Sequence, residues 1–325
     1  MGTAGVRLWR HLRREGVRSA VQYSAFAVSD MLATKARCVR RRLRFHRLTW
    51  RLRLRPGRIG RTKNPRFVVS LTTFPARVTT VWATIATLLR QNVPPDAVLL
   101  VVADEEFPDR RLPRSLRRLE RRGLIVHWIP DNLKSFNKLL PARRAYPDAT
   151  IITVDDDVLY EPDLLRTLRE ASAERSGWII GNRGWNPIRD AISGGYRPYR
   201  EWMRAGRAGP DSDPDEVFLT GVGGVLYPPG SVDDELLLDA KLAMSVAPTA
   251  DDVWFWAVEQ ASGSKRFCTG SRYGRPNGLE GVGPSLFAHN KSANDAQIAA
   301  TAARLARLRS EQSRSEESNP SPKGG

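Results

Sequence analysis

The run Thr150-Ile151-Ile152-Thr153-Val154 is followed at once by three carboxylates, Asp155-Asp156-Asp157. An apolar stretch of that length reads as a buried strand. Such a strand cannot run on through stacked negative charge unless a cation compensates it. The strand must therefore end at the rim of a sheet, where a positive group can meet the acids. Hard divalent cations such as Mg2+ and Mn2+ prefer oxygen ligands of this kind. Alternation along a strand sends Asp155 and Asp157 to one side and Asp156 to the other, so two carboxylates two residues apart can share one metal. The alternative is a solvated acidic turn, since aspartates are frequent at strand ends. The apolar strand in front of them weighs against it.

The rest of the body alternates strand and helix signals. Phe67-Val68-Val69-Ser70-Leu71 and Asp96 to Val102 read as buried strands, with Pro94-Pro95 as the stop before the second. Between them Val78, Val81, Trp82, Ile85, Leu88 and Leu89 recur at helical spacing. A third strand is expected over 123–129 and a helix over 136–146. Another helix begins after Pro162 with Leu164, Leu165 and Leu168. This alternation predicts an α/β, doubly wound and mainly parallel sheet with flanking helices. Ligands in such sheets bind beyond the carboxyl ends of the strands, where Asp104 and Asp155–Asp157 both fall. Residues 182–217 read as a long loop, a lid or an acceptor-binding segment.

Charge divides the chain. Of its net +17, residues 1–63 supply +16, with 18 Lys and Arg against Glu15 and Asp30. The basicity belongs to an N-terminal arm (1–63), not to the body (64–308) or to the Ser-, Glu-, Pro- and Gly-rich tail (309–325), which is expected to be disordered. In the arm, Arg40-Arg41-Arg42, Arg44, Arg47, Arg51, Arg53 and Arg55 alternate with Leu43, Phe45, Leu48, Trp50, Leu52 and Leu54. The pattern suits attachment to an anionic membrane surface, a helix packed on the body, or nucleic-acid binding, of which surface attachment is the preferred reading. Two cysteines, Cys38 and Cys268, exclude a disulfide framework. No apolar run is long enough to span a bilayer. The expected location is cytoplasmic, peripheral at the inner face of the plasma membrane.

Four further motifs carry chemistry. In Thr220-Gly221-Val222-Gly223-Gly224-Val225, the glycines let backbone pass close to a ligand or adopt φ > 0, or they serve a structural turn. In Ala250-Asp251-Asp252-Val253-Trp254-Phe255-Trp256, one aspartate can cap the helix it opens while the other acts as a general base. Lys134 and Lys138 are two cations that can meet phosphate, or two exposed surface lysines. His289 is either structural or a third metal ligand.

Taken in order, Val69 to Arg77, Thr153 to Asp157, Thr220 to Pro229 and Ala250 to Trp256 resemble a GT-A-type glycosyltransferase, similar to family 2-like bacterial enzymes of cell-surface polysaccharide synthesis. The match spans about residues 66–295. The resemblance implies a nucleotide-sugar donor, a glycan or lipid-linked hydroxyl acceptor, a Mn2+ or Mg2+ cofactor and an inverting hexosyl transfer. It implies Asp155, Asp157 and His289 as metal ligands. It places Thr72, Thr73, Arg77, Asp104, Lys134, Lys138, Asp156, Gly223 and Gly224 around the donor, and it makes Asp252 or Asp251 the base, with Asp252 slightly preferred. The Gln-x-x-Arg-Trp signature of processive synthases is absent. Nucleotidyl transfer is the rival enzyme class, and nucleic-acid binding led by the arm is the non-enzymatic rival.

Overall fold

A computed structural model describes residues 50, 57, 59, 60, 62–276 and 293–307. The elements named below belong to the unit that spans Leu54–Gly325. The basic arm (apart from a few positions), Cys38, His289 and the tail beyond residue 307 lie outside the described residues.

Strand β1 (Phe67–Thr72), β2 (Ala97–Ala103), β3 (Leu124–Ile129) and β4 (Thr150–Thr153) form the parallel half of a seven-stranded sheet. Every residue of β2 is buried, as expected for a strand covered on both faces. In register, Val69 of β1 lies between Val98 and Ile152. Beyond β4 come β9 (Val225–Tyr227), β6 (Ile179–Gly181) and β10 (Arg266–Cys268), giving the order β10-β6-β9-β4-β1-β2-β3. β9 runs antiparallel to both of its neighbours.

That reversal brings the site together. Because β9 is antiparallel, its first residue, Val225, pairs with Thr153 at the end of β4 and with Gly181 at the end of β6. The glycine-rich turn before β9 therefore sits at the same edge as the ends of β1, β2, β4 and β6. One strand pointing the wrong way delivers a loop to the rim where the parallel strands finish.

Side chains on one face of the sheet, Val68, Leu99, Val101 and Ile151, join a core with Phe136, Leu139, Leu140, Trp254 and Phe255. Their alternates Val69, Leu71, Val98, Leu100 and Ile152 are buried equally, so both faces are covered. Among the helices are α1 (Val81–Leu88), α2 (Arg114–Glu120), α3 (Leu140–Ala145), α4 (Leu164–Glu174), α5 (Tyr199–Ala205), α6 (Asp234–Leu237), α7 (Ala240–Val246) and α8 (Asp251–Ala261). A ninth, α9, covers 293–307. No helix of the described residues is long and apolar enough to cross a membrane.

Two expectations change. The helix expected over 136–146 is split into a 3-10 turn, Lys134–Lys138, and α3. Pro141 explains the new start: it has no N–H to donate and suits the first turn of a helix rather than its middle. Residues 182–217 are not a free loop. β7 (Gly184–Trp185) pairs with β8 (Phe218–Leu219), and Tyr199 and Trp202 of α5 are buried against Phe218 and Trp256 in an edge-to-face aromatic cluster. Each such ring pair contributes about 0.5–1.5 kcal/mol beyond its buried area.

Candidate active site at the carboxyl edge of the sheet

The three aspartates lie beyond the strand. β4 stops at Thr153, and Asp156 and Asp157 occupy a turn before β5 (Val158–Tyr160). Strand alternation therefore does not set their directions. Asp156, expected to point away from its neighbours, shares a cation with Asp157. Arg77 lies 2.6 Å from Asp156 Oδ1 and 3.0 Å from Asp157 Oδ2. Asp156 is 6% exposed; its Oδ2 accepts from Thr73 Oγ1 at 2.7 Å and its backbone carbonyl from Thr84 Oγ1 at 2.9 Å. Burial raises the Asp156 carboxyl, against the pull of Arg77 and Thr73. The acid is bound into the scaffold by the loop after β1 and by α1.

Asp155 turns the other way. Its Oδ1 lies 2.9 Å from Lys138 Nζ, and the same ammonium lies 2.8 Å from Asp251 Oδ2 at the start of α8. The Lys138 side chain is 6% exposed and that of Asp251 11%. Burial opposes the charge on Lys138, but Asp155, Asp251 and Asp252 outweigh it and hold the ammonium well above the ordinary lysine range. The surface-lysine reading of Lys138 is thus excluded by position. Gly221 makes the bridge possible, because a Cβ there would sit 2.5 Å from Lys138 Nζ.

Neither aspartate of α8 caps its own helix. The N-cap is Ala250, and no side chain makes the capping bond. Asp252 Oδ1 instead accepts from Gly221 N–H at 3.0 Å. Burial, then Asp251 and Asp155, push the Asp252 carboxyl up to about 7, with Lys138 and the Gly221 amide pulling the other way. Asp157 is raised to about 6 by burial and by Asp155 and Asp156, with Arg77 opposing.

Five carboxylates (Asp155, Asp156, Asp157, Asp251 and Asp252) thus share two side-chain cations, Arg77 and Lys138, a formal excess of three negative charges. Among the described residues, no three Asp, Glu, His or Cys side chains converge to hold a metal ion by themselves. The donor chemistry nonetheless fits a hard divalent cation. Asp155 and Asp157 keep 30% and 35% of their side-chain surface open, and the crowding of anions is what such a cation relieves.

The other sequence candidates lie around this centre. Thr72 Oγ1 donates to the Val101 carbonyl at 3.0 Å. Asp104, at the end of β2, is held by both Arg110 Nε and Nη2 at 2.6 Å. Lys134 is exposed, takes φ +56, and places Nζ 3.4 Å from the Pro248 carbonyl. Gly224 takes φ +78. A Cβ on Gly223 would lie 2.6 Å from Arg183 Cβ and 2.8 Å from its amide nitrogen, so Gly223 packs on backbone. His289 is outside the described residues.

Sequence reasoning did not single out three contributors. Tyr160 Oη accepts from Asp155 N–H at 2.8 Å, and Thr84 and Arg183 belong to the same edge. Only the position of Tyr160, three residues after the triplet, hinted at such a contact.

No protein-family model matches the chain, and no curated protein matches its sequence. Among solved structures, the chain is similar to the mannosyltransferase PcManGT from Pyrobaculum calidifontis in complex with GDP-Man and Mn2+, at 15% identity over 88% of this chain and 90% of that one, with TM-score 0.40. It is similar to S. aureus TarS 1–349 at 12% identity over 64% of this chain and 59% of that one, with TM-score 0.38. UTP-bound UGPase from Acinetobacter baumannii is similar at 9% identity over 74% and 98%, with TM-score 0.39. Likeness at this level identifies neither an activity nor a ligand.

Proposed function

We propose that the chain is a metal-dependent glycosyltransferase of GT-A type that moves a sugar from a nucleoside-diphosphate donor to a hydroxyl acceptor. The observation that carries the reading is the Lys138 bridge. It joins the acids after β4 to the acids of α8, 96 residues further along the chain, and so places a candidate leaving-group site beside a candidate base.

Asp252 is the base in this reading. Asp251 is committed to Lys138, whereas Asp252 accepts from a single amide and burial pushes its carboxyl up to about 7, toward the range in which a general base works best. It takes the proton from the acceptor hydroxyl as that oxygen attacks the anomeric carbon. Asp155 and Asp157 would hold a divalent cation, which supplies charge neutralisation for a departing diphosphate. Arg77 and Lys138 keep the acids oriented and limit their mutual repulsion. Lys134, exposed and with its ammonium held only by the Pro248 carbonyl among the described residues, could turn to a phosphate oxygen. In this reading Thr72, Thr73 and Asp104, at the ends of β1 and β2, would border the nucleoside. The positioning of two substrates and preorganised charge supply most of the rate. The basic arm would keep the enzyme at an anionic membrane where a lipid-linked acceptor resides.

A panel of UDP-, GDP- and TDP-sugars with Mn2+ tests the reading. Release of nucleoside diphosphate from one of them is expected, and Asp252→Asn should lower transfer by about 10²–10⁴-fold. Release of pyrophosphate instead would assign the site to nucleotidyl transfer.

A further inference from the structure

We infer that Arg183 recognises an anionic group on the acceptor, a phosphate or carboxylate close to the reacting hydroxyl. The inference rests on the transferase reading above for the word acceptor, and on the geometry around Arg183 for the anion.

Arg183 follows β6 at the same sheet edge as the acids. Its guanidinium is part-buried, lies 4.6 Å over the ring of Trp185 and donates from Nη1 to Thr220 Oγ1 at 2.8 Å. Its Nε is buried and has no hydrogen-bond partner among the described residues. No carboxylate among the described residues pairs with it, whereas Arg77, Lys138, Arg143 and Arg266 each have an acid within 4 Å. A half-buried guanidinium without a counter-charge is costly to keep, and its planar fork suits phosphate and carboxylate oxygens.

Its position points to the acceptor side. Thr220 N–H donates to the Arg183 carbonyl at 3.0 Å. The next residue, Gly221, holds Asp252 through its amide. One peptide unit therefore separates the Arg183 contact from the anchor of the candidate base. Tyr199 of α5 lies within electrostatic reach of both Asp252 and Arg183. The close packing of Gly223 on residue 183 holds the turn and the arginine in one register. An acceptor whose hydroxyl meets Asp252 would bring its neighbouring substituent to Arg183.

The test is a calorimetric titration of the full chain with a hexose, the same hexose as its 6-phosphate, and the corresponding uronic acid. The wild type should bind at least one anionic form about tenfold to a hundredfold more tightly than the neutral sugar. The phosphate and carboxylate arms tell which source of charge is preferred. Arg183→Gln should abolish the preference, and Arg183→Lys should retain part of it while controlling for folding. Equal binding of all three sugars, or a preference that survives Arg183→Gln, overturns the inference. Donor turnover on the same preparations separates the two claims. If no sugar nucleotide is turned over, the transferase reading fails while the titration still decides the anion site.

Discussion

Replacing Lys138 by Met removes one charge from the centre of the site and changes little in side-chain length. The bridge it breaks is enclosed on the Asp251 side, with 6% and 11% of the two side chains exposed. Removing one partner of a buried pair costs about 3–5 kcal/mol, because the other charge is left uncompensated. The Asp155 arm is 30% exposed, so water offsets part of its loss and the lower end, about 3 kcal/mol, applies. For a domain of this size that corresponds to a fall of about 6–12 °C in Tm. Urea unfolding followed by tryptophan fluorescence gives the free energy. Adding Asp251→Asn should restore part of the loss, since the most enclosed of the carboxylates left without Lys138 is then neutral. A loss under about 1 kcal/mol for Lys138→Met would refute the claim that this ammonium holds the two acidic segments together. The same substitution removes a group that pulls the Asp252 carboxyl down. The acid limb of any pH–rate profile set by Asp252 should therefore move to higher pH than in the wild type.

Three other outcomes follow from particular contacts. Glu259 is 2% exposed, and burial lifts its carboxyl from 4.5 to about 7 against the pull of Arg266 and Tyr227. Between those values the folded state binds a proton that the unfolded state has released, so stability should fall as pH rises from 4.5 to about 7; Glu259→Gln should flatten that slope in denaturant titrations. Gly223→Ala forces a methyl group against the Arg183 backbone and should cost about 1–3 kcal/mol by chemical denaturation, with no effect if the turn moves freely. Deleting residues 1–58 should release the protein from anionic vesicles in a flotation assay, and binding that survives the deletion would rule out attachment through the arm.

The parallel strands were legible because each is a short apolar run flanked by helical spacing. β2 was the clearest, since the seven apolar residues Ala97 to Ala103 follow the Pro94-Pro95 stop in a run too short for a buried helix. The rim position of Asp155–Asp157 was legible from the charge that ends an apolar strand. Their directions were not, because the strand stops at Thr153 and a turn then sets each side chain by its partner. Lys138 was ambiguous for a similar reason. Lysine is ordinarily exposed, and only the meeting of β4, α8 and Gly221 gives it two carboxylates. The antiparallel β9 was hidden behind glycines that read equally well as a ligand turn. Arg183 gave no signal in the sequence, since its meaning depends on Thr220 and Asp252, 37 and 69 residues away.

Central to the proposed transfer is a divalent cation that the acids after β4 would hold and that would take up the charge of a departing nucleoside diphosphate. The most direct test is the rate of nucleoside diphosphate release from the preferred sugar nucleotide, measured across a Mn2+ titration for the wild type and for Asp157→Ala. The account expects metal-dependent release by the wild type and loss of both the release and its metal dependence in the variant. Undiminished release by Asp157→Ala with the same response to Mn2+ would contradict it.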